Sequence, residues 1–333
     1  MQSFSRPAPP PPPRLLVLEF WGLGDLALGV PFLQAAAKRS DVTLVARSQW
    51  APLIDRFCPG VALVPFNAPW TAFSGKYRLL AWPWRELRAL LRNLRARRFA
   101  AGVSARCDPR DHLLLRLAGA DRRIGFPRAG SAVLLTATLA GGRMLHRAQA
   151  WQQIARHLGW ESPPAAGARL HPVGTDAPVV LHSGAGRPTR LWPLERLAEL
   201  ALRLRRAGRT VRVLCDSGQL GEWRRLGEGG AEAPADVGAL LDALQSAARF
   251  IGNDSGPGHV AALCGVPTFT IFGPQLPSLF APVHPQAAWI GGAPCPHKPC
   301  FDSCRFAEPH CIRHLTSEEV WSRIEPWLAA SAR

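Results

Sequence analysis

No apolar run in this 333-residue sequence approaches the roughly 18 residues that a membrane-spanning helix needs, which excludes a helical membrane span. The N-terminus lacks the apolar stretch of a secretory signal peptide. Pro9 to Pro13 run unbroken instead, and residues 1–13 read as a disordered, Pro-rich leader. The expected location is therefore the cytoplasm. Lysine is scarce: Lys38, Lys76 and Lys298 are three of 40 basic residues. An arginine and alanine bias of this kind often reflects genome composition, so the formal charge of +16 does not by itself mark a nucleic-acid partner. Charged residues are only 19% against 47% hydrophobic, which excludes whole-chain disorder and leaves enough apolar surface for a real core. The length suits two domains of ordinary size.

Acidic residues are missing mainly from one half. Residues 1–170 hold 24 Lys and Arg against 9 Asp and Glu, a net of +15, whereas residues 171–333 hold 16 against 15, a net of +1. One half is strongly basic and the other nearly neutral, which implies different partners for the two. The basic half should meet something anionic: nucleic acid, a membrane surface or a phosphorylated substrate.

Residues 15–20 (LLVLEF) form a short apolar run, followed by the turn Trp21-Gly22-Leu23-Gly24-Asp25 and a helical pattern with Leu26, Val30, Leu33 and Ala37 on one face. That is the opening of a βαβ unit. Strands are expected at 41–46, 61–65 and 99–104, with an amphipathic helix at 85–98 that turns leucines inward and arginines outward. Residues 160–178, rich in Pro, Gly and Ala, read as a linker, and the alternation then restarts. Strands are expected at 178–182, 210–215, 248–252 and 267–272, helices at 193–207 and 237–247, and a capped terminal helix at 316–330. Strands alternating with helices in both halves predict an α/β protein of two doubly wound parallel sheets with a cleft between them.

Three short segments could carry chemistry. Ser183-Gly184-Ala185-Gly186 is a glycine turn after a strand, where backbone N–H groups can approach phosphate oxygens. It matches neither a P-loop nor the dinucleotide fingerprint, and an ordinary βα turn explains it equally well. Asn253-Asp254-Ser255-Gly256 lies between a buried strand and a helix, where free N–H groups favour an anion; helix capping is the competing explanation. Asp25 sits at the carboxyl end of the first strand, where open α/β sheets bind ligands, and can act as a general base or as a helix cap.

Taken together, Gly24-Asp25-x-x-Leu28-x-x-Pro31, Ser183-Gly184-Ala185-Gly186 with Arg190-Leu191-Trp192-Pro193, and Asn253-Asp254-Ser255-Gly256-x-x-His259-x-Ala261-Ala262 with Gly265-Val266-Pro267 and Phe272-Gly273-Pro274 resemble glycosyltransferase family 9, the ADP-heptose:lipopolysaccharide heptosyltransferases. Each block is common; the ordered set is specific. The resemblance implies a GT-B fold, two Rossmann-like doubly wound domains facing a central cleft. Residues 14–165 would bind the acceptor, 166–177 would be the linker, and 178–333 would bind the nucleotide-sugar. It implies Asp25 as the general base of an inverting transfer. It implies donor binding by Ser183, Gly184, Ala185, Gly186, Thr189, Arg190, Asp254, Ser255, Gly256 and His259. Backbone amides and Arg190 would stabilise the leaving diphosphate, so no cofactor or divalent metal is required. Where the family carries basic and serine residues ahead of Gly24-Asp25, this chain reads Glu19-Phe20-Trp21-Gly22, a change that bears on the acceptor more than on the reaction.

The charge asymmetry then has a physical account. An anionic lipid-linked saccharide acceptor at the inner-membrane surface would be drawn to the basic half, with Arg88, Arg92 and Arg95 on one helix face as the residues to meet it. A solvated helix face is the alternative for any one of them. Peripheral attachment to the inner face of the membrane is the matching expectation. Rival readings are another donor or acceptor, a related two-domain epimerase, or a non-catalytic basic protein binding polyanions or membranes. No nucleic-acid module is present to support a nucleic-acid partner.

Cys58, Cys107, Cys215 and Cys264 are scattered. Cys295, Cys300, Cys304 and Cys311 cluster as C-x4-C-x3-C-x6-C within the Cys-rich segment 295–311, with His297 and His310 between them. A structural zinc, disulfides and reduced thiols all remain open for this set.

Overall fold

In a computed structural model, which describes residues 12–72, 76–161, 174 and 176–330, the first strand, β1 (Arg14–Leu18), carries Leu15 to Leu18 fully buried between parallel neighbours. Such a run, apolar on both faces, is what a central parallel strand requires. The chain continues through α1 (Leu23–Ala37), β2 (Asp41–Ala46), α2 (Ala51–Phe57), β3 (Val61–Pro65), α3 (Trp84–Arg97), β4 (Ala101–Ser104), α4 (Pro109–Leu117), β5 (Arg122–Gly125) and the two-residue β6 (Ala137–Thr138). All pair in parallel in the order β3-β2-β1-β4-β5-β6. After α5 (Arg147–His157) a second parallel sheet begins with β7 (Val179–His182), followed by α6 (Leu194–Arg206), β8 (Val211–Leu214), α7 (Leu220–Arg225), α8 (Val237–Gln245) and β9 (Arg249–Asn253). It ends with α9 (Gly256–Leu263), β10 (Thr268–Phe272), α10 (Pro277–Phe280), β11 (Ala288–Gly291), α11 (His310–Arg313) and α12 (Ser317–Ala330). Its order is β11-β10-β9-β7-β8.

Both sheets therefore reverse strand order once, between β1 and β4 in the first and between β7 and β9 in the second. At such a switch point the connections leave to opposite faces, and the carboxyl ends of the two strands are left open to a ligand. Asp25 follows β1, Ser183-Gly184-Ala185-Gly186 follows β7 and Asp254-Ser255-Gly256 follows β9, so all three sequence blocks leave switch-point strands.

The chain clusters into two compact units that are not continuous stretches. One gathers the described residues of Met1–Phe20, Phe32–Ser48 and Phe57–Arg143; the other gathers those of Trp21–Pro31, Gln49–Arg56 and Met144–Arg333. The first unit is built around Leu16, Leu18, Phe20, Trp70, Leu94 and Leu115. The second is built around Leu181, Trp192, Leu197, Trp223, Ile271 and Ile324. Burying each such side chain contributes about 1.5–3 kcal/mol, and these clusters are what hold the strand ends in place. Most of the leader and of the expected linker (residues 1–11, 166–173 and 175) lie outside the described residues. Among the described residues no helix is long and apolar enough to cross a membrane.

Candidate functional site

In the second unit, α9 begins at Gly256 with Ser255 at the N-cap position. A capping serine normally accepts from the first-turn amides, but here the Ser255 side chain makes no cap bond and its buried Oγ has no hydrogen-bond partner. Asp254 Oδ2, Thr189 Oγ1 and His259 Nδ1 are likewise buried without one. Buried polar atoms without a hydrogen bond are costly unless a polar ligand completes them.

Arg190 is the cation of this site. Its Nε and Nη2 donate to the two carboxylate oxygens of Asp302, both at 2.7 Å, in a bidentate fork. Its Nη1 lies 3.3 Å from Asp254 Oδ2, an ion pair without hydrogen-bond geometry. Burial works against the guanidinium charge, yet the Asp302 bond and the Asp254 charge outweigh it, and the Arg190 pKa is raised. For Asp254 the balance is opposite: burial pushes its carboxyl up to about 6 in spite of Arg190, and Asp302 and Asp25 add to the rise. Gln275 Nε2 adds a third bond to Asp302 Oδ1 at 3.2 Å. Asp302 and its neighbour Phe301 hold left-handed backbone, with φ of 68° and 48°, which costs energy in non-glycine residues and is sustained by these bonds.

Asp25 belongs to the same compact unit. One oxygen accepts from Arg147 Nε at 3.1 Å and the other from the Gly22 amide at 3.2 Å. The Arg147 guanidinium also lies over the Trp21 ring, 4.9 Å from its centroid. Trp21, one of the departures from the family pattern, thus helps hold the partner of Asp25. His146 caps α5: its Nδ1 accepts from the Ala148 amide at 3.2 Å, so Nε2 carries the proton and donates to the Ala281 carbonyl at 2.9 Å. Burial lowers its pKa, and burial, reinforced by His146, pushes that of His259 down to about 4. Both imidazoles are neutral at pH 7.

Gly24 and Gly256 bring these pieces together. A Cβ on Gly24 would come within 2.6 Å of His259 Cδ2 and 3.2 Å of Gly256 Cα. A Cβ on Gly256 would come within 3.2 Å of the Gly24 amide nitrogen. The two helix starts meet backbone to backbone, which glycine alone permits at this distance.

The glycine turn after β7 is divided in role. The Ser183 hydroxyl points into the core, donating to Gln219 at 2.8 Å and accepting from Trp223 Nε1 at 3.0 Å. Gly184 is required, because a Cβ there would lie 2.4 Å from Asp216 Oδ1. The Ala185 amide donates to the Asp216 carboxylate, and Gly186 faces open space.

Arg88, Arg92 and Arg95 are exposed on α3 in the first unit, and the Arg95 Nε is already engaged by the Leu117 carbonyl at 2.6 Å. All eight cysteines are free thiols. Burial pushes Cys58 up to about 12 and Cys215 up to about 11, which leaves them unreactive at neutral pH. Cys295, Cys300, Cys304 and Cys311 line one cavity of about 10 Å³ together with His297 and His310. The donor types suit a soft cation. Among the described residues, however, no three His, Cys, Asp or Glu side chains are gathered as a metal site. Asp302, which grips Arg190, lies between Cys300 and Cys304, and no local motif announced it.

Residues 153–310 match the family described as Glycosyltransferase family 9 (heptosyltransferase). Over those residues the chain is similar to glycosyltransferase family 9. Among curated proteins, "Lipopolysaccharide heptosyltransferase 1" of Pseudomonas aeruginosa is 30% identical over 174 residues, which cover 46% of this chain and 48% of that protein. The match thus spans about half the length of that relative. Among solved structures, the glycosyl transferase family 9 of Veillonella parvula superposes with a TM-score of 0.75 at 19% identity, covering 96% of this chain and 98% of that one. The E. coli heptosyltransferase WaaC with ADP gives 0.72 at 19% identity, covering 94% and 99%. These likenesses establish a GT-B fold of two parallel-sheet α/β domains.

Proposed function

We propose that this protein transfers heptose from ADP-heptose to an anionic lipid-linked saccharide of the lipopolysaccharide core, with inversion and without a metal ion, at the cytoplasmic face of the inner membrane. The observation that carries the reading is Arg190, held in the Asp302 fork and paired with Asp254 ahead of a helix start where Ser255 and His259 each bury a polar atom without a hydrogen bond, as does Thr189 next to Arg190. A nucleoside diphosphate brings the negative charge and the acceptor oxygens that this arrangement lacks.

In the proposed reaction Asp25 takes the proton of the acceptor hydroxyl, whose oxygen attacks the anomeric carbon from the face opposite the diphosphate. The C–O bond to the diphosphate breaks as the new one forms, so the configuration inverts and the leaving ADP keeps the electron pair. Arg147 and the Gly22 amide fix the Asp25 carboxylate in orientation, and Arg190 with the α9 amides offsets the charge that develops on the diphosphate. Every step is assigned to groups of this chain.

Calorimetric titration with ADP, UDP and GDP, joined to a transfer assay, tests the reading. The expected result is selective ADP binding, weakened by Arg190→Ala, with Asp25→Ala keeping ADP affinity while losing transfer. A preference for UDP or GDP overturns the donor, and no nucleotide binding overturns the enzyme in favour of a polyanion-binding protein. Transfer that is abolished by EDTA and restored by magnesium overturns the metal-free mechanism.

A further inference from the structure

The segment that leads into α3 exposes apolar side chains that a water-facing loop has no reason to carry. Leu80 is as exposed as a side chain can be, at 101%, Tyr77 is 77% exposed, Leu79 55% and Trp84 42%. Leu79 and Leu80 stand on a 3-10 turn, Leu79–Ala81, with Tyr77 two residues before it and Trp84 as the first residue of α3.

The turn is anchored from beneath. Trp84 Nε1 donates to the Leu79 carbonyl at 2.8 Å, and Trp82 Nε1 to that of Lys76 at 3.3 Å. The rings of Trp84, Trp82 and the buried Trp70 follow one another at 5.5 Å spacings. Trp70 in turn donates to the fully buried Asp111 at 2.9 Å. The apolar tip is thus held out by a column of tryptophans rooted in the core of the first unit.

Its surroundings are of one sign. Between residues 76 and 98 there are eight basic residues, Lys76, Arg78, Arg85, Arg88, Arg92, Arg95, Arg97 and Arg98, against the single acid Glu86. Arg78, Arg85, Arg88 and Arg92 are exposed and form no ion pair among the described residues. A fixed apolar wedge of Leu, Tyr and Trp flanked along the chain by exposed arginines has the chemistry of a membrane interface. Aromatic and aliphatic side chains enter the acyl boundary while guanidinium groups meet lipid phosphates.

We propose that Tyr77, Leu79, Leu80 and Trp84 insert into an anionic lipid bilayer, and that Arg78, Arg85, Arg88 and Arg92 bind its phosphate headgroups around them. The inference rests on the membrane part of the reading above and is independent of the sugar transferred. Folded protein and lipid account for the contact, and no covalent step is involved.

The test is co-sedimentation of the full chain with vesicles of phosphatidylcholine alone and of phosphatidylcholine with phosphatidylglycerol. The double variant Leu79→Ser/Leu80→Ser and the double variant Arg88→Ala/Arg92→Ala are compared with the parent, and ADP affinity and thermal melting serve as controls of folding. The expected result is binding to the anionic vesicles alone. The leucine variant should lose at least about tenfold in apparent affinity with ADP binding and melting unchanged. The arginine variant should lose affinity at low salt and less at high salt. A leucine variant that binds vesicles like the parent overturns the wedge while leaving electrostatic attachment in place. Absence of vesicle binding by the parent overturns the membrane reading as a whole. A parent that is dimeric in sedimentation velocity and becomes monomeric in the leucine variant overturns the lipid in favour of a second copy of this chain.

Discussion

Arg190 has two carboxylate neighbours, and they are not equivalent. Asp302 holds one edge of the guanidinium with two bonds of 2.7 Å, whereas Asp254 faces Nη1 at 3.3 Å without a hydrogen bond. The loosely held edge is the one an incoming diphosphate would take, and Asp302 sets the direction in which that edge points. Asp302→Asn keeps the shape and removes the fork. It is expected to weaken ADP binding about tenfold, the value of one lost charge-assisted hydrogen bond, and to lower the melting temperature by a few degrees, since the fork also sustains the loop. Calorimetry with the melting curve as control decides this. Asp302→Glu, which keeps the charge, should recover part of the loss.

Asp254 gives a second prediction at this scale. Its folded pKa of about 6 lies above the unfolded value of 3.8, so folding favours its protonated form. That contribution to stability is fully present below pH 3.8 and is lost as the pH rises through 6. At pH 7 the carboxylate is buried at a cost, about 3 kcal/mol if the whole shift is taken and less in practice. Asp254→Asn is therefore expected to be more stable than the parent at pH 7 by about 1–3 kcal/mol. The difference should vanish as the pH falls from 6 to 4. His259, with its pKa lowered to about 4, acts in the opposite sense, losing stability as pH falls from 6.5. It is common to parent and variant, so the difference in urea denaturation between them isolates Asp254.

Elements differ in how far their sequences announce them. β1, β2, β3 and β7 to β10 are runs of four or more residues rich in Leu, Val, Ile and Phe, and the expected strands at 41–46 and 61–65 match residue for residue. β5 reads Arg-Arg-Ile-Gly and β11 Ala-Trp-Ile-Gly, runs too short and too mixed to stand out, because partner strands rather than their own side chains fix them. α4 is short, and its Asp108 cap becomes visible once the helix is known. At the site, Asp25 and the Asp254 block were legible because each stands between an apolar strand run and a helical pattern, and Arg190 through the family resemblance alone. Asp302 was not, since it approaches Arg190 from 112 residues away along an irregular loop. The glycines of the two helix starts offer an element-scale test. Gly24→Ala would drive a Cβ to 2.6 Å from the His259 ring, whereas Gly22→Ala meets nothing closer than the Asp25 carboxylate at 3.4 Å. Gly24→Ala is expected to cost about 1–3 kcal/mol by overpacking and to weaken ADP binding, and Gly22→Ala to stay within about 0.5 kcal/mol of the parent. Denaturation of the two variants side by side checks the contrast.

For the molecule as a whole, the uneven charge is the property that neither a single residue nor a single helix explains. A net of +15 on residues 1–170 against +1 on residues 171–333 gives the chain a strong dipole of charge. Charge that is mostly unpaired acts at a distance through solvent, and its reach is the Debye length, about 10 Å at 0.1 M salt and 3 Å at 1 M. An acceptor embedded in an anionic bilayer presents many charges to that field at once, whereas a soluble acceptor fragment presents few. In the proposed reaction the donor would instead meet Arg190, a short-range contact at a largely buried guanidinium that mobile ions reach poorly. The salt dependence should therefore separate the two substrates. With vesicle-embedded acceptor, kcat/KM is expected to fall by about tenfold or more between about 0.05 M and 0.5 M salt. With a soluble acceptor fragment the fall should be about twofold, and the KM for ADP-heptose should change little in either assay. A steep salt dependence in the donor KM would place the useful positive charge in the second half of the chain and remove the role assigned to the first.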